Sequence, residues 1–294
     1  MKQRVITGTI FAVAVILLYG AAYFVKDLIL LMAIVIACFA VFELIRAFRT
    51  GGFNPSAPLI VAGCVLCLAQ YLTARLFALS FEQALAFYMV LTGIYCLFSA
   101  IMLPILEKNA SIDTNHGKSF ADGIVTAGIV FYVTFPLFCL CATVTIPENG
   151  WYYMVVGLFS CWLSDVFAYF TGVLFGKHKI VPHISPKKTV EGCVGGALFC
   201  AVIITVYCDL VIYRLSNFDV GIAGFTVLTF IFGIIISCFS QIGDWFASVI
   251  KRRVGIKDYG KIFPGHGGMM DRFDSAFFTI PVGCMLTLIA AVFL

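Results

Sequence analysis

The stretch that decides the fold is Val220–Arg253, which reads "VGIAGFTVLTFIFGIIISCFSQIGDWFASVIKRR". From Val220 to Ser248 it carries one charged side chain, Asp244. About 20 apolar residues in a helix cross the hydrocarbon core of a bilayer, which is about 30 Å thick. The stretch therefore predicts a membrane-spanning helix, and its helical pattern continues past the apolar residues into Lys251 and Arg252.

The rest of the chain has the same apolar character. Of its 294 residues, 62% are hydrophobic and 12% are charged, whereas soluble domains are about 45–50% apolar and about 25% charged. We therefore predict an all-α, polytopic integral membrane protein with about nine transmembrane helices. The approximate spans are Val5–Val25, Leu28–Ile45, Ala57–Leu72, Gln83–Leu106, Asp122–Thr145, Trp151–Phe175, Gly192–Tyr213, Val220–Ser248 and Ser275–Leu294.

The positions of the basic residues predict the orientation of these spans. Cytoplasmic loops carry an excess of Lys and Arg, and all but three of the nineteen basic residues fall on one side. The three exceptions are Lys26, Arg75 and Arg214. The N-terminus is therefore predicted to be cytoplasmic. A signal peptide is the alternative for the first span, but its apolar run is longer than a typical signal sequence and no clear cleavage site follows it.

The N-terminal and C-terminal halves of the chain are predicted to have different roles. Residues 1–150 are predicted to form a scaffold of transmembrane helices and a possible lipid entrance. Residues 151–294 are predicted to form a catalytic region with cytoplasmic loops 176–191 and 251–274. No basic tail or linker suggests an appended soluble domain or a nucleic-acid partner. The spacings Gly172-x-x-x-Gly176 and Gly192-x-x-x-Gly196 favour close helix approach.

Polar residues gather near the predicted cytoplasmic face. Asp165 lies near the middle of the sixth span, where an ionisable group costs several kcal/mol and is a functional candidate; a helix–helix hydrogen bond is its alternative role. Beyond that span, Pro182 and Pro186 prevent a regular helix, so Lys187 and Lys188 lie on a constrained loop. The alternative is that these lysines only set the orientation of the chain.

The eighth span also carries polar residues on one face. Asp244, Ser248 and Lys251 follow at i, i+4 and i+7, so a carboxylate, a hydroxyl and a cation share that face. Asp271 follows the basic loop, at the beginning of the last helix. Because Mg²⁺ is commonly held by one or two carboxylates plus substrate phosphates, the pattern predicts phosphoryl chemistry at a lipid surface.

These residues carry a resemblance to a known family. The sequence resembles the signature of phosphatidate cytidylyltransferases, also called CDP-diacylglycerol synthases, in the run Ser248-x-Ile250-Lys251-Arg252-x4-Lys257-Asp258-x-Gly260-x2-Phe263-Pro264-x-His266-Gly267-Gly268-Met269-x-Asp271-Arg272-Phe273-Asp274. Two further blocks, Ser164–Tyr169 and Ser185–Gly192, are similar to the same family. The resemblance covers about Ser164 to Ser275, and the first 150 residues show only a generic hydrophobic pattern.

The resemblance implies an integral membrane enzyme that joins CTP and phosphatidic acid into CDP-diacylglycerol and pyrophosphate. It implies Mg²⁺ as the cofactor, with a second cation left open, and the lipid bilayer as the surroundings. A homodimer is left open as well. The short polar N-terminus favours, by analogy, the bacterial cytoplasmic (inner) membrane, with the active site facing the cytoplasm.

The chemistry of the residues and the resemblance together predict the roles at the site. We assign the metal to Asp244 and Asp271. The phosphates of CTP and the lipid are assigned to Lys187, Lys188, Lys251, Arg252, Lys257 and Arg272, with ion-paired scaffolding as the alternative for the last two. Ser248 is predicted to position a phosphate oxygen or metal-bound water. Asp165 is predicted to support the metal or the lysines, and His266 to contact substrate or order its glycine loop.

Two other functions fit part of the pattern. A transporter of an anionic substrate could use buried carboxylates, but its binding groups should lie near the bilayer midplane and internal repeats should be visible. A CTP-dependent lipid-alcohol kinase shares the nucleotide donor and the membrane setting. Transfer of labelled cytidylate into lipid would favour the cytidylyltransferase, whereas transfer of the γ-phosphate would favour the kinase.

Overall fold

The computed structural model describes residues 2–110, 120–180, 185, 188–215, 221–263 and 267–293. Every regular element in these ranges is helical. The elements are α1 (Lys2–Phe24), α2 (Leu28–Thr50), α3 (Ala57–Leu76), α4 (Phe81–Ala110), α5 (Phe120–Thr145), α6 (Gly150–Phe175), α7 (Val190–Tyr207), a π-helical turn (Cys208–Ile212), α8 (Tyr213–Leu215), α9 (Ile222–Arg253), α10 (Met270–Phe273) and α11 (Ala276–Phe293).

The lengths of the helices agree with a membrane protein. In the described residues, seven helices are long and apolar enough to cross a bilayer, and two shorter apolar helices, Gly8–Phe24 and Ala276–Ile289, accompany them. This confirms the predicted all-α polytopic fold. Several helices extend beyond the apolar spans: α2 continues to Thr50 and α9 continues to Arg253.

The first of two compact units contains Met1–Ala142 and Lys251–Arg272. Its α2–α3 connection is tied to α5, because the backbone N–H of Asn54 donates to Asp122 Oδ1 at 2.6 Å. The N–H of Ser56 donates to Thr126 Oγ1 at 3.0 Å. These side chains satisfy two backbone donors of the connection, and the second of them belongs to the buried Ser56. The unit thus joins the first five helices to the charged segment that follows α9.

The second compact unit contains Thr143–Ile250 and Phe273–Leu294. Helices α6, α7, α9 and α11 pack within it, and the last turn of α9 belongs to the first unit. Gly157 of α6 and Gly283 of α11 meet backbone to backbone, since a β-carbon at Gly157 would lie 3.2 Å from the Cα of Gly283. The core of the unit includes Tyr153, Val156, Cys200, Ile204, Phe225, Phe232 and Ile236.

Helices α6 and α7 approach closely at the predicted glycines. A β-carbon at Gly196 would lie 2.9 Å from the carbonyl oxygen of Ser164, and one at Gly192 would lie 2.7 Å from that of Ala168. A β-carbon at Gly192 would also lie 3.2 Å from the Cα of Gly172. The expectation that these spacings allow close helix approach is therefore confirmed, and α7 is held where its N-terminal turn meets the end of α6.

Substitution of Gly196 should test this contact. We expect Gly196→Ala to destabilise the protein by about 1–3 kcal/mol, because the added methyl group must displace backbone atoms in a tightly packed interface. Thermal unfolding in detergent measures the effect. Gly93→Ala in α4 is the matched control, since nothing lies within 4 Å of a β-carbon there, and it should leave Tm unchanged or raise it. Equal Tm values for the two variants would contradict the packing argument.

Candidate active site

The loop before α7 is held at both of its described ends. Thr189 caps α7 by accepting the N–H of Gly192 at 3.2 Å. Glu191, in the first turn of α7, accepts the backbone N–H groups of Lys177 at 3.1 Å and His178 at 3.2 Å. Its other oxygen lies 2.6 Å from the ring Nδ1 of His178. The chain entering and leaving the loop is thus fixed, and Lys188 directly precedes the capping residue.

Lys188 forms an ion pair with Asp244 of α9. The two side chains are 23% and 27% exposed, so the pair is accessible to small solutes. The Lys188 ammonium also lies 5.7 Å from the ring centroid of Trp245, at a distance where a cation is attracted to an aromatic face. Lys188, which is predicted to bind phosphate, and Asp244, which is predicted to bind the metal, therefore neutralise each other's charge in the second unit.

Two other predicted residues of this unit that the structure describes lie on α6 and α9. Asp165 is exposed on α6, and Ser248 is half-buried one helical turn beyond Asp244. Ser164, next to Asp165, makes a buried hydroxyl–hydroxyl hydrogen bond with Ser237 at 2.6 Å. A helix–helix hydrogen bond of the kind considered for Asp165 is thus made by the neighbouring serine.

A second cluster surrounds Asp271 in the first unit. The Lys251 ammonium donates to Asp271 Oδ1 at 2.9 Å, and the side chains are 12% and 5% exposed. Asp271 Oδ2 accepts the backbone N–H groups of Tyr259 at 2.8 Å and Gly268 at 3.0 Å. Lys251 also lies 5.3 Å from the centroid of the Tyr259 ring. Asp271 is therefore fixed by one cation and two backbone donors.

Glu43 of α2 belongs to the same cluster and was missed by sequence reasoning. Its carboxylate accepts the backbone N–H groups of Met269 at 3.0 Å and Met270 at 2.8 Å. The sequence signal for Glu43 was a single acid within an apolar span. A charged carboxylate in such a span costs free energy unless it has hydrogen-bond or ion-pair partners. Trp245 and Tyr259 were missed as well, because nothing in the spacing of a sequence identifies partners that are distant along the chain.

The remaining basic residues differ in their surroundings. Arg252 and Lys257 are exposed. Arg272 is half-buried, and its Nε is buried without a hydrogen-bond partner in the part of the chain that the structure describes. Because this Nε has almost no accessible surface, it is closed to an incoming phosphate in the arrangement that the structure describes. Lys187 and His266 lie outside the described residues.

The two acids assigned to the metal, Asp244 and Asp271, offer the oxygen donors that Mg²⁺ prefers. No group of three or more His, Cys, Asp or Glu side chains gathers among the described residues, but Mg²⁺ needs only one or two carboxylates when substrate phosphates and water complete its shell. A carboxylate offers about four lone-pair positions, and Asp271 uses three of them. Asp244 is more exposed. The donor types fit a cation that binds together with the phosphates of a nucleotide.

Comparison with known proteins gives a family model over nearly the whole chain and relatives over about half to two thirds of it. The Cytidylyltransferase family model matches residues 2–290. A phosphatidate cytidylyltransferase of Staphylococcus saprophyticus is 37% identical over 184 residues, which are 63% of this chain and 66% of the relative. The phosphatidate cytidylyltransferase of Aquifex aeolicus is 39% identical over 152 residues, 52% of this chain and 53% of that protein. The aligned part thus spans about half to two thirds of the length of these relatives.

Proposed function

Because the chain belongs to the Cytidylyltransferase family, we propose that it transfers cytidylate from CTP to phosphatidic acid, giving CDP-diacylglycerol and pyrophosphate. The observation that carries the proposal is the Lys251–Asp271 pair with its backbone donors. It lies in the block that resembles phosphatidate cytidylyltransferases, and the relatives bear that name. The transporter and the lipid-alcohol kinase have no comparable support.

The proposed reaction needs little acid–base help. An oxygen of the lipid phosphate forms a bond to the α-phosphorus of CTP, while the bond from that phosphorus to the bridging oxygen breaks and pyrophosphate leaves with the electron pair. A phosphate monoester has its second pKa near 6, so the nucleophile is already largely an anion at neutral pH. The protein must therefore position two anions that repel each other and neutralise charge.

The basic residues would supply most of this neutralisation. Lys188 and Lys251 each face a carboxylate, which holds their ammonium groups in place before phosphates arrive. Four further basic residues are assigned to phosphates by their place in the sequence: Arg252, Lys257, Lys187 and Arg272. Ser248 is assigned to a phosphate oxygen, and His266 stays assigned to substrate contact or loop order.

The acids would hold the cofactor, as the sequence predicts. Asp244 and Asp271 are the proposed ligands of Mg²⁺, and Asp165 would support the metal or the lysines. When bound with CTP, Mg²⁺ would neutralise phosphate charge and orient the triphosphate. A second cation and a homodimer stay open.

The proposed location follows from the substrates and the basic residues. CTP is soluble in the cytosol and phosphatidic acid is embedded in the bilayer, so the reacting groups must meet near the headgroups. We assign the basic side of the chain to the cytoplasm, in the bacterial inner membrane. Residues 1–150 would serve as a scaffold and as a possible entrance for acyl chains.

The test is incorporation of label from α-³²P-labelled CTP into a chloroform-soluble product by the purified protein. Phosphatidic acid is present or omitted, and Mg²⁺ is present or removed by EDTA. We expect label in lipid only when both are present. No label from protein shown to be folded would overturn the proposal, and transfer of γ-³²P to a lipid alcohol would favour the kinase.

A further inference from the structure

Glu43 is a buried acid in the middle of the chain's second helix. Glu43 is only 2% exposed. Oε1 accepts the N–H of Met269 at 3.0 Å, and Oε2 accepts the N–H of Met270 at 2.8 Å. Met269 and Met270 are 8% and 0% exposed. The carboxylate thus binds two successive backbone donors in a place from which water is largely excluded.

These two donors stand immediately before Asp271. Met270 begins α10, and the first N–H groups of a helix have no partner within the helix. The preceding N–H, that of Gly268, donates to Asp271 Oδ2 at 3.0 Å. Three successive N–H groups are therefore divided between two carboxylates, Asp271 and Glu43. Any movement of Met269 or Met270 away from Glu43 would also move the backbone of Asp271.

The loop is shaped to admit the Glu43 carboxylate. A β-carbon at Gly260 or at Gly268 would overlap the Glu43 carboxyl group, so both positions require the absence of a side chain. A helix cap needs only one side-chain acceptor. Here α2, the segment around Gly260 and the start of α10 all converge on one carboxylate.

We propose that Glu43 is a positioning residue for Asp271, and that it brings the N-terminal helices into the catalytic machinery. The inference rests on the proposed function and deepens it. Glu43 itself has both oxygens engaged by the backbone, so it acts through the segment that carries Asp271. Residues that orient the ligands of a metal typically cost about 10- to 100-fold in metal affinity or activity when they are changed.

Glu43→Gln tests the proposal. A glutamine offers one oxygen and one NH₂ group, so one of the two backbone donors faces another donor. In the ligand-free protein we expect hydrogen–deuterium exchange of the Met269 and Met270 amides to rise at least about tenfold. We expect kcat to fall about 10- to 100-fold and the Mg²⁺ concentration for half-maximal rate to rise. The KM for phosphatidic acid should change less than about twofold, because the change is transmitted through Asp271.

Asp122→Asn is the matched control in the same unit. Asp122 is also a buried acid that accepts a backbone N–H, that of Asn54. We expect this variant to lower Tm while leaving kcat per folded molecule within about twofold, and exchange in 267–273 unchanged. An equal loss of kcat in Asp122→Asn and Glu43→Gln, or wild-type exchange and kcat in Glu43→Gln, would overturn the proposal.

Gly260→Ala is a second test that keeps the proposal falsifiable if Glu43→Gln does not fold. It keeps the Glu43 charge but pushes the carboxylate from its place, and it should raise exchange at the same two amides. Unchanged exchange would count against the proposal. Because exchange needs no substrate, it decides the positioning role even if the wild-type protein transfers no cytidylate, a result that would overturn the proposed function alone.

Discussion

Replacement of Asp244 by Asn is expected to lower cytidylate transfer by about 10²- to 10³-fold while the protein stays folded. An amide of the same size fits the site but carries no charge to hold a cation, and removal of one electrostatic group that acts on the transition state typically costs this much. The Lys188 side chain is 23% exposed, so the ammonium left behind remains accessible to water. The loss of a partly exposed ion pair has little effect on stability.

The measurement is kcat of purified Asp244→Asn, with Tm in the same detergent as the check on folding. Glu148→Gln is the control, since Glu148 is an exposed acid of the same unit in the α5–α6 connection. It should transfer cytidylate at the wild-type rate. Activity of Asp244→Asn within about threefold of wild type would remove Asp244 from the proposed metal site.

Replacement of Asp271 by Asn is expected to abolish detectable turnover and also to lower stability. Asp271 is 5% exposed and its partner Lys251 is 12% exposed, so the substitution leaves a largely buried ammonium without its counter-charge. Removing one partner of a buried pair typically costs about 3–5 kcal/mol. Asp271→Asn should therefore lower Tm by much more than Asp244→Asn does.

A double variant separates the two effects of Asp271→Asn. In Lys251→Met/Asp271→Asn the uncompensated charge is gone, and an uncharged pair of similar volume often restores stability. We expect Tm to recover by at least half of the loss while turnover stays undetectable. Near-normal turnover of purified and folded Asp271→Asn would contradict the assignment of Asp271 to the metal.

The sequence predicts the helices of this protein better than the contacts between residues that are distant along the chain. In α9 the apolar run and the i, i+4, i+7 pattern predicted one helix that continues to the basic residues, and the helix ends at Arg253. Helical periodicity is a local property, so it can be read from a single segment. The prediction that the two glycine spacings allow close helix approach is also confirmed, because small residues are a local signal too, although the sequence did not say which helices would meet.

The pairing of charges could not be predicted in the same way. The lysines and acids were identified as phosphate and metal groups, yet Lys188 pairs with Asp244 and Lys251 pairs with Asp271. Glu43 is separated from Met269 by 226 positions, and no periodicity connects residues so far apart. A buried carboxylate must find donors, but only the fold determines which backbone amides supply them.

The length of α9 links the chain to the thickness of its membrane. Its 32 residues extend about 48 Å at about 1.5 Å per residue, which exceeds the hydrocarbon thickness of about 30 Å. Hydrophobic mismatch concerns only the apolar part of a helix, so the excess length of α9 is taken up by tilt or by its polar end after Asp244. Under the proposed function, the acyl-chain length of the host lipids would therefore set how far Lys251 and Arg252 stand above the hydrocarbon boundary, and with it how easily they would reach a lipid phosphate.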